Sequence, residues 1–442
     1  MSLPYLSLTE RDRDEMLAAI GVSSVEELFR DIPEAVRFRG DLELEPPLSE
    51  QEITAHLAEL ASRNAHTGVE LSFLGAGIYD HYVPAFVDAM LARGEFLTAY
   101  TPYQPEMSQG VLQAIFEYQT AVCELTGMDV SNASGYDGPA VTADACYVAK
   151  HVTGRSRVVL CEAVSPQVRR VVKTYAPGFG LEVVEVPHRD GVTDPEELRA
   201  AAADAACVVF QQPNFLGNLE PAPELAAAAN EQEALPVAYV DPMSLGLLEA
   251  PGRYGCAIAV GEGQPAGNYQ SYGGPHYGFL AAREDYVRRM PGRIVGETTD
   301  LDGRRAFVLT LQTREQHIRR EKATHNITTN QTLLALAGLM YLSWLGPQGL
   351  RQVGETCLAL AQYAKERLGF PLVFPEEATF KEFAVRVGRP AREAVAAARA
   401  EGVHPGYALG RDYEGLDDAL LVCVTEKRTR EDIDRLAEVL RT

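Results

Sequence analysis

Residues 206–241, ACVVFQQPNFLGNLEPAPELAAAANEQEALPVAYVD, decide the fold. A β-branched run, Ala206–Phe210, leads into the alanine-rich helical stretch Pro223–Glu233 and a second run, Pro236–Val240, that ends on Asp241. That order is a strand, a crossover helix and a second strand parallel to the first. Working outward, Arg157–Cys161 and Glu182–Val186 precede this unit, and Cys256–Val260 and Tyr277–Ala281 follow it. Their spacing of about 20–30 residues suits further βα units and predicts a mostly parallel sheet covered on both faces. Ligands of such sheets sit beyond the C-terminal strand ends. The informative residues are therefore Glu162, His188, Gln211, Gln212, Asn214, Asp241 and Glu262.

The flanks read differently. Residues 1–64 form a helical arm: Thr9 caps a helix through Met16, Leu17 and Ile20, and Ser23 or Ser24 caps another through Leu28 and Phe29. Such an arm is expected to pack across a neighbouring subunit or its own core. From Val111 to Leu125 the apolar spacing is helical, with a stop at Gly127. Residues 65–330 are the large α/β domain. Residues 331–442 combine helices, including Val353–Leu368, with strand-like runs at Phe383–Val387 and Ala419–Val424, and read as a small α+β domain.

The 442 residues carry 40 Lys+Arg against 62 Asp+Glu, a formal charge of −22, and 46% are hydrophobic. So acidic a surface repels phosphate backbones, which argues against nucleic acid as a partner. No apolar run is long enough for a membrane span, and no basic-then-apolar leader opens the sequence, so the cytoplasm is expected. The seven cysteines are odd in number and form no CxxC pair. They read as buried thiols of a reducing compartment.

Several stretches could carry chemistry. Asp241, at a strand end, could pair with a cofactor cation such as a protonated pyridine nitrogen, or could be an ordinary turn aspartate. The proline-stiffened stretch 99–106 presents Tyr100 and Tyr103, either to a site or as a structural corner. Residues 75–82 have the same character, and His81 taken alone reads as a satisfied surface histidine. Basic and small polar residues in 319–326, including Thr324, His325 and Asn326, precede a helix near Asn330 and could meet a phosphate, or merely cap that helix. Residues 261–274 are glycine-rich but match no nucleotide fingerprint. The lysines are Lys150, Lys173, Lys322, Lys365, Lys381 and Lys427, so 174–321, the interval that would supply a Schiff-base amine near Asp241, contains none.

Taken together, the stretches 73–82, 98–106, 123–129, 134–138, 261–265 and 312–324 give the chain a family likeness. Along essentially its whole length it resembles the alpha subunits of split glycine decarboxylases, the P-protein of the glycine cleavage system. The resemblance implies a fold type I pyridoxal-phosphate architecture and a heterotetramer in which a beta subunit carries the cofactor and its lysine. It implies decarboxylation of glycine and transfer of the aminomethyl group to the lipoyl arm of the H-protein. Gly263-Gln264-Pro265 stands where the beta pattern has its histidine-lysine pair, and Ala163-Val164-Ser165 lies near the place of its ring-stacking histidine. Asp241 matches the pyridine-binding aspartate by position. On the same basis Tyr100, Tyr103 and His81 are expected to wall the active site, while Thr324, His325 and Asn326 contact the cofactor phosphate of the neighbouring subunit. Two alternatives stand beside this: an autonomous pyridoxal enzyme using an unusual lysine such as Lys322, or a non-catalytic scaffold that stabilises beta or docks the H-protein.

Overall fold

Thr9 and Ser49 each start a helix through a capping box, α1 (Glu10–Ile20) and α2 (Glu50–Ser62). Between them Val25–Phe29 is a 3-10 turn. The computed structural model describes residues 7–323, 325, 327 and 330–441, divided into a unit of residues 1–65 and a unit of residues 66–442. Among the described residues of the first unit only Leu17 is buried, and Met16, Ile20, Phe29, Phe38 and Leu57 are exposed. Its described residues form no core of their own.

In the second unit the β-branched runs line up as β1 (Val130–Ser131), β2 (Arg157–Cys161), β3 (Glu182–Val186), β4 (Ala205–Gln212), β5 (Leu235–Val240), β6 (Ile258–Glu262) and β7 (Gly278–Ala282). Their spatial order is β1-β7-β6-β5-β4-β2-β3. From β3 across to β6 every pairing is parallel. Val158, Val159 and Leu160 of β2 and Val208, Val209 and Phe210 of β4 are fully buried, as strands covered on both faces must be. This is the mostly parallel sheet that the sequence predicts. β7 is the exception, because it runs antiparallel to β6 with Gly278 opposite Glu262. Residues 263–277 supply only the 3-10 turn Ser271–Gly273, not the crossover helix of a βα unit.

The covering helices obey local signals. α3 (Pro105–Thr126) ends where Gly127 turns left-handed at φ 68°, but it starts earlier than the apolar spacing suggests, with Pro105 in its first turn. α4 (Gly138–Thr153) starts on Asp137, whose carboxylate accepts the Ala140 amide, and α5 (Pro166–Phe179) follows β2. α6 (Ala222–Glu231) is the alanine-rich crossover between β4 and β5. α7 (Thr332–Leu368) is long and apolar enough to cross a membrane, yet it breaks at Gly346 before Pro347. Its Ala337, Tyr341 and Leu350 pack with Val87 and Met243 in a buried cluster, which makes it a core helix. Beyond it, β8 (Glu382–Arg386), β9 (Tyr407–Ala408) and β10 (Ala419–Cys423) form a three-stranded antiparallel sheet in the order β8-β10-β9.

Candidate active site

The crevice at the strand ends is built around Asp241, the residue after β5. Its Oδ1 accepts the Met243 amide at 3.0 Å and so fixes the turn. Its Oδ2 lies 2.7 Å from Nζ of Lys381, which immediately precedes β8 and is only 2% exposed. Residues 174–321 hold no lysine, and the one that reaches Asp241 comes from far along the chain. Lys381 Nζ also lies 2.9 Å from His81 Nε2 and 3.5 Å from the centre of the Tyr79 ring. An ammonium has three donors and no lone pair. Two donors meet Asp241 and His81, and the cation faces the Tyr79 ring. Because His81 Nε2 must accept, Nδ1–H donates to Glu426 Oε2 at 2.7 Å, and Glu426 Oε1 takes the Tyr82 amide at 2.8 Å. Burial presses the Lys381 ammonium towards neutrality, but the Asp241 carboxylate, together with Cys423 and Cys357, raises the pKa. Burial likewise pushes Glu426 up, while His81 and the Tyr82 amide pull it down to about 2.

The loop 73–82 is pinned over this row of charges. Glu382, the first residue of β8, accepts the Ala76 amide at 2.7 Å and the Tyr79 hydroxyl at 2.8 Å, although burial keeps its pKa raised. Asp80 pairs with Lys427 and Arg428 at 2.6 and 2.9 Å. Gln264 receives the Tyr79 amide and returns a hydrogen bond to the Tyr79 carbonyl, both at 2.8 Å. Gly75 is required here, because a Cβ would stand 2.3 Å from Glu382 Oε1 and 2.6 Å from Cys423 Cβ.

The residues do not fit pyridoxal phosphate. Between Tyr79, Pro213, Asp241, Phe380, Lys381 and Glu382 the free space is about 10 Å³, room for one water at most. No lysine stands in the loop 263–277 directly after β6: a Cβ on Gly263 would stand 2.1 Å from the Tyr277 ring, and the Gln264 amide is committed to Tyr79. At the start of α4, where an anion would be favoured, the Gly138 amide already donates to Glu262 Oε2 at 3.0 Å. The cavity beside it, about 220 Å³, is lined by Asp137, Glu262, Tyr136, Ser165 and His276 among others, with no Lys or Arg. Burial pushes the Glu262 carboxyl up to about 8.

The sequence-predicted residues divide between this crevice and a second group. His81 is buried rather than at the surface, because it bridges Lys381 and Glu426. A ring nitrogen of His81, Cys357 Sγ and a Glu426 oxygen lie within 4.8 Å of one another, but Nδ1 gives its proton to Glu426 and Nε2 accepts from Lys381, so neither nitrogen is free for a metal. Tyr103 belongs to the second group: its hydroxyl accepts from Arg293 at 2.9 Å and its ring meets His317 edge-on. Tyr100 is exposed. His325 accepts the Ile327 amide through Nδ1, so Nε2 carries the hydrogen, buried and without a partner among the described residues. Burial, reinforced by the charges of Arg314 and Arg293, lowers its pKa to about 4. Thr324 and Asn326 lie outside the described residues. Lys322 is exposed on a 3-10 turn, and the lysine in the crevice is Lys381. The sequence reading missed Lys381, Glu382 and Glu426. The available signal was a charged pair, Lys381-Glu382, opening an apolar strand.

Comparison with known proteins covers the whole chain. The family described as "Glycine cleavage system P-protein" matches residues 4–440. "Probable glycine dehydrogenase (decarboxylating) subunit 1" of Geobacillus kaustophilus is 51% identical over 440 residues, covering 99% of this chain and 98% of that one. The protein of the same name from Moorella thermoacetica is 50% identical, with 99% of each chain covered. Among solved structures, an inhibitor-bound glycine decarboxylase (P-protein) of the glycine cleavage system superposes with a TM-score of 0.90 at 42% identity, over 99% of both chains. A sphingosine-1-phosphate lyase from Burkholderia pseudomallei, 16% identical with a TM-score of 0.66 over 93% of this chain and 94% of that one, shares the fold. That fold is the fold type I architecture of pyridoxal-phosphate enzymes.

Proposed function

Because the chain belongs to the glycine cleavage system P-protein family, we propose that it is the half of a two-chain glycine decarboxylase that carries no cofactor of its own. Its relatives are subunit 1 proteins matched end to end, which supports a partner subunit; in this reading the partner is a beta subunit and the assembly a cytoplasmic alpha-beta heterotetramer. The observation that carries this reading is the filled crevice: Lys381 sits on Asp241, and the loop 263–277 directly after β6 holds no lysine. Pyridoxal phosphate stays with beta, where it supplies the electron sink for loss of carbon dioxide from glycine. The aminomethyl group passes to one sulfur of the H-protein's lipoyl disulfide, and the other sulfur leaves as a thiol.

This chain's own residues complete the partner's site. Tyr100 and Tyr103 wall it, with Tyr103 held by Arg293. His325, with Thr324 and Asn326, reaches the phosphate of the partner's cofactor, and its unpaired Nε2–H beside Arg293 and Arg314 suits an anion. His81, with both nitrogens committed, positions Lys381 and moves no proton. The test is exchange of labelled bicarbonate into glycine by the separate and mixed chains in the presence of H-protein. Exchange requires both chains and follows copurification on a tagged beta subunit. Full exchange by beta alone, or any by this chain alone, overturns the reading.

A further inference from the structure

We propose that Lys381 is a tethered substitute for a cofactor cation: seated between Asp241, His81 and the Tyr79 ring, its ammonium fills the crevice after β5 and keeps this chain free of pyridoxal phosphate. The proposal rests on the reading that beta holds the cofactor, and adds how this chain is kept from competing for it.

An aspartate buried at a strand end needs a positive partner, since an uncompensated buried carboxylate is strongly unfavourable. A protonated pyridine nitrogen would be one such partner, and the ammonium of Lys381 brings the same unit charge on a side chain of this protein. The seat is built from three directions. Asp241 comes from the end of β5, Tyr79 and His81 from the pinned loop, and Lys381 from the C-terminal sheet. His81 in turn is braced by Glu426, so the lysine cannot swing aside without breaking a buried hydrogen-bonded row. The opposite pole is filled as well. The Glu262 carboxyl takes the first amide of α4, the place an incoming phosphate would use. The carboxylate that a ring nitrogen would meet and the amide that a phosphate would meet are thus both taken from within the chain.

Lys381→Ala, made in the two-chain complex, removes the four atoms that propylammonium would restore. Propylammonium should raise the melting temperature of the Lys381→Ala complex by several degrees more than that of the wild type. It should not do so for the Asp241→Asn/Lys381→Met complex, and neutral propanol should not act in its place. Equal shifts in all three complexes overturn the proposal. A second measurement does not depend on how the variant folds: borohydride reduction of the wild-type complex should leave the pyridoxyl label on beta alone, and a labelled lysine in this chain overturns the seal. Absence of glycine exchange from that complex, with this chain still unlabelled, would sink the functional reading and leave the seal standing.

Discussion

Replacing Lys381 by methionine keeps most of its volume but leaves Asp241 buried without its cation. At 2.7 Å, with an effective dielectric constant near 20, the attraction between the two charges is about 6 kcal/mol. Taking each ion out of water costs several kcal/mol, so the intact pair gains little over a neutral one, while either half alone is heavily penalised. Lys381→Met and Asp241→Asn should each lower stability by about 3–5 kcal/mol. His81 Nε2, stripped of its donor by the methionine, adds about 1 kcal/mol to the first. The double variant should lie within about 2 kcal/mol of wild type, because a neutral pair replaces a charged one. The coupling energy is then about 4 kcal/mol or more. Urea titrations of the four forms at neutral pH, followed by circular dichroism and compared at constant slope, measure it. A double variant that loses the sum of the two single losses would refute the pairing and the geometry assigned to the crevice.

Three further outcomes follow from the same structure. Glu262 keeps its proton to about pH 8 in the folded chain but releases it near 4.5 when unfolded, so the unfolded chain binds fewer protons between those values and stability falls as pH rises through them; Glu262→Gln should flatten that slope in melting curves from pH 5 to 8, and an unchanged slope would count against the buried acid. Gly75→Ala should cost at least about 1–3 kcal/mol, because its Cβ meets a side-chain oxygen and a Cβ that are both held in place; a thermal melt within error of wild type would contradict the packing. His325→Ala should weaken cofactor retention by the complex about tenfold to a hundredfold, the worth of a charge-assisted hydrogen bond, while the melting temperature of this chain barely moves; unchanged retention in a cofactor titration would remove His325 from the phosphate.

The parallel sheet was legible because β-branched runs and an alanine-rich crossover are local patterns. The direction of β7 was not: a run of residues does not encode its sense, and only the absence of a helix in 263–277 sets it antiparallel to β6. The strand expected at Phe383 begins at Glu382, since a lysine and a glutamate look like surface until their partners are seen. Those partners, Asp241, Tyr79, His81 and Ala76, are remote in sequence, and no periodicity links them. Motif matching found Asp241, Tyr103 and His81 as isolated residues. What each one touches came from packing.

A side chain joined to the backbone is not governed by mass action as a diffusible ligand is. The occupant of this chain's crevice therefore does not depend on how much vitamin B6 a cell contains. When the vitamin is scarce, a site that borrows its cation empties and loses the stability that binding gave it, whereas the Asp241 crevice keeps its ion. This half of the complex would then remain a folded template on which the cofactor-dependent half can be held and later reloaded.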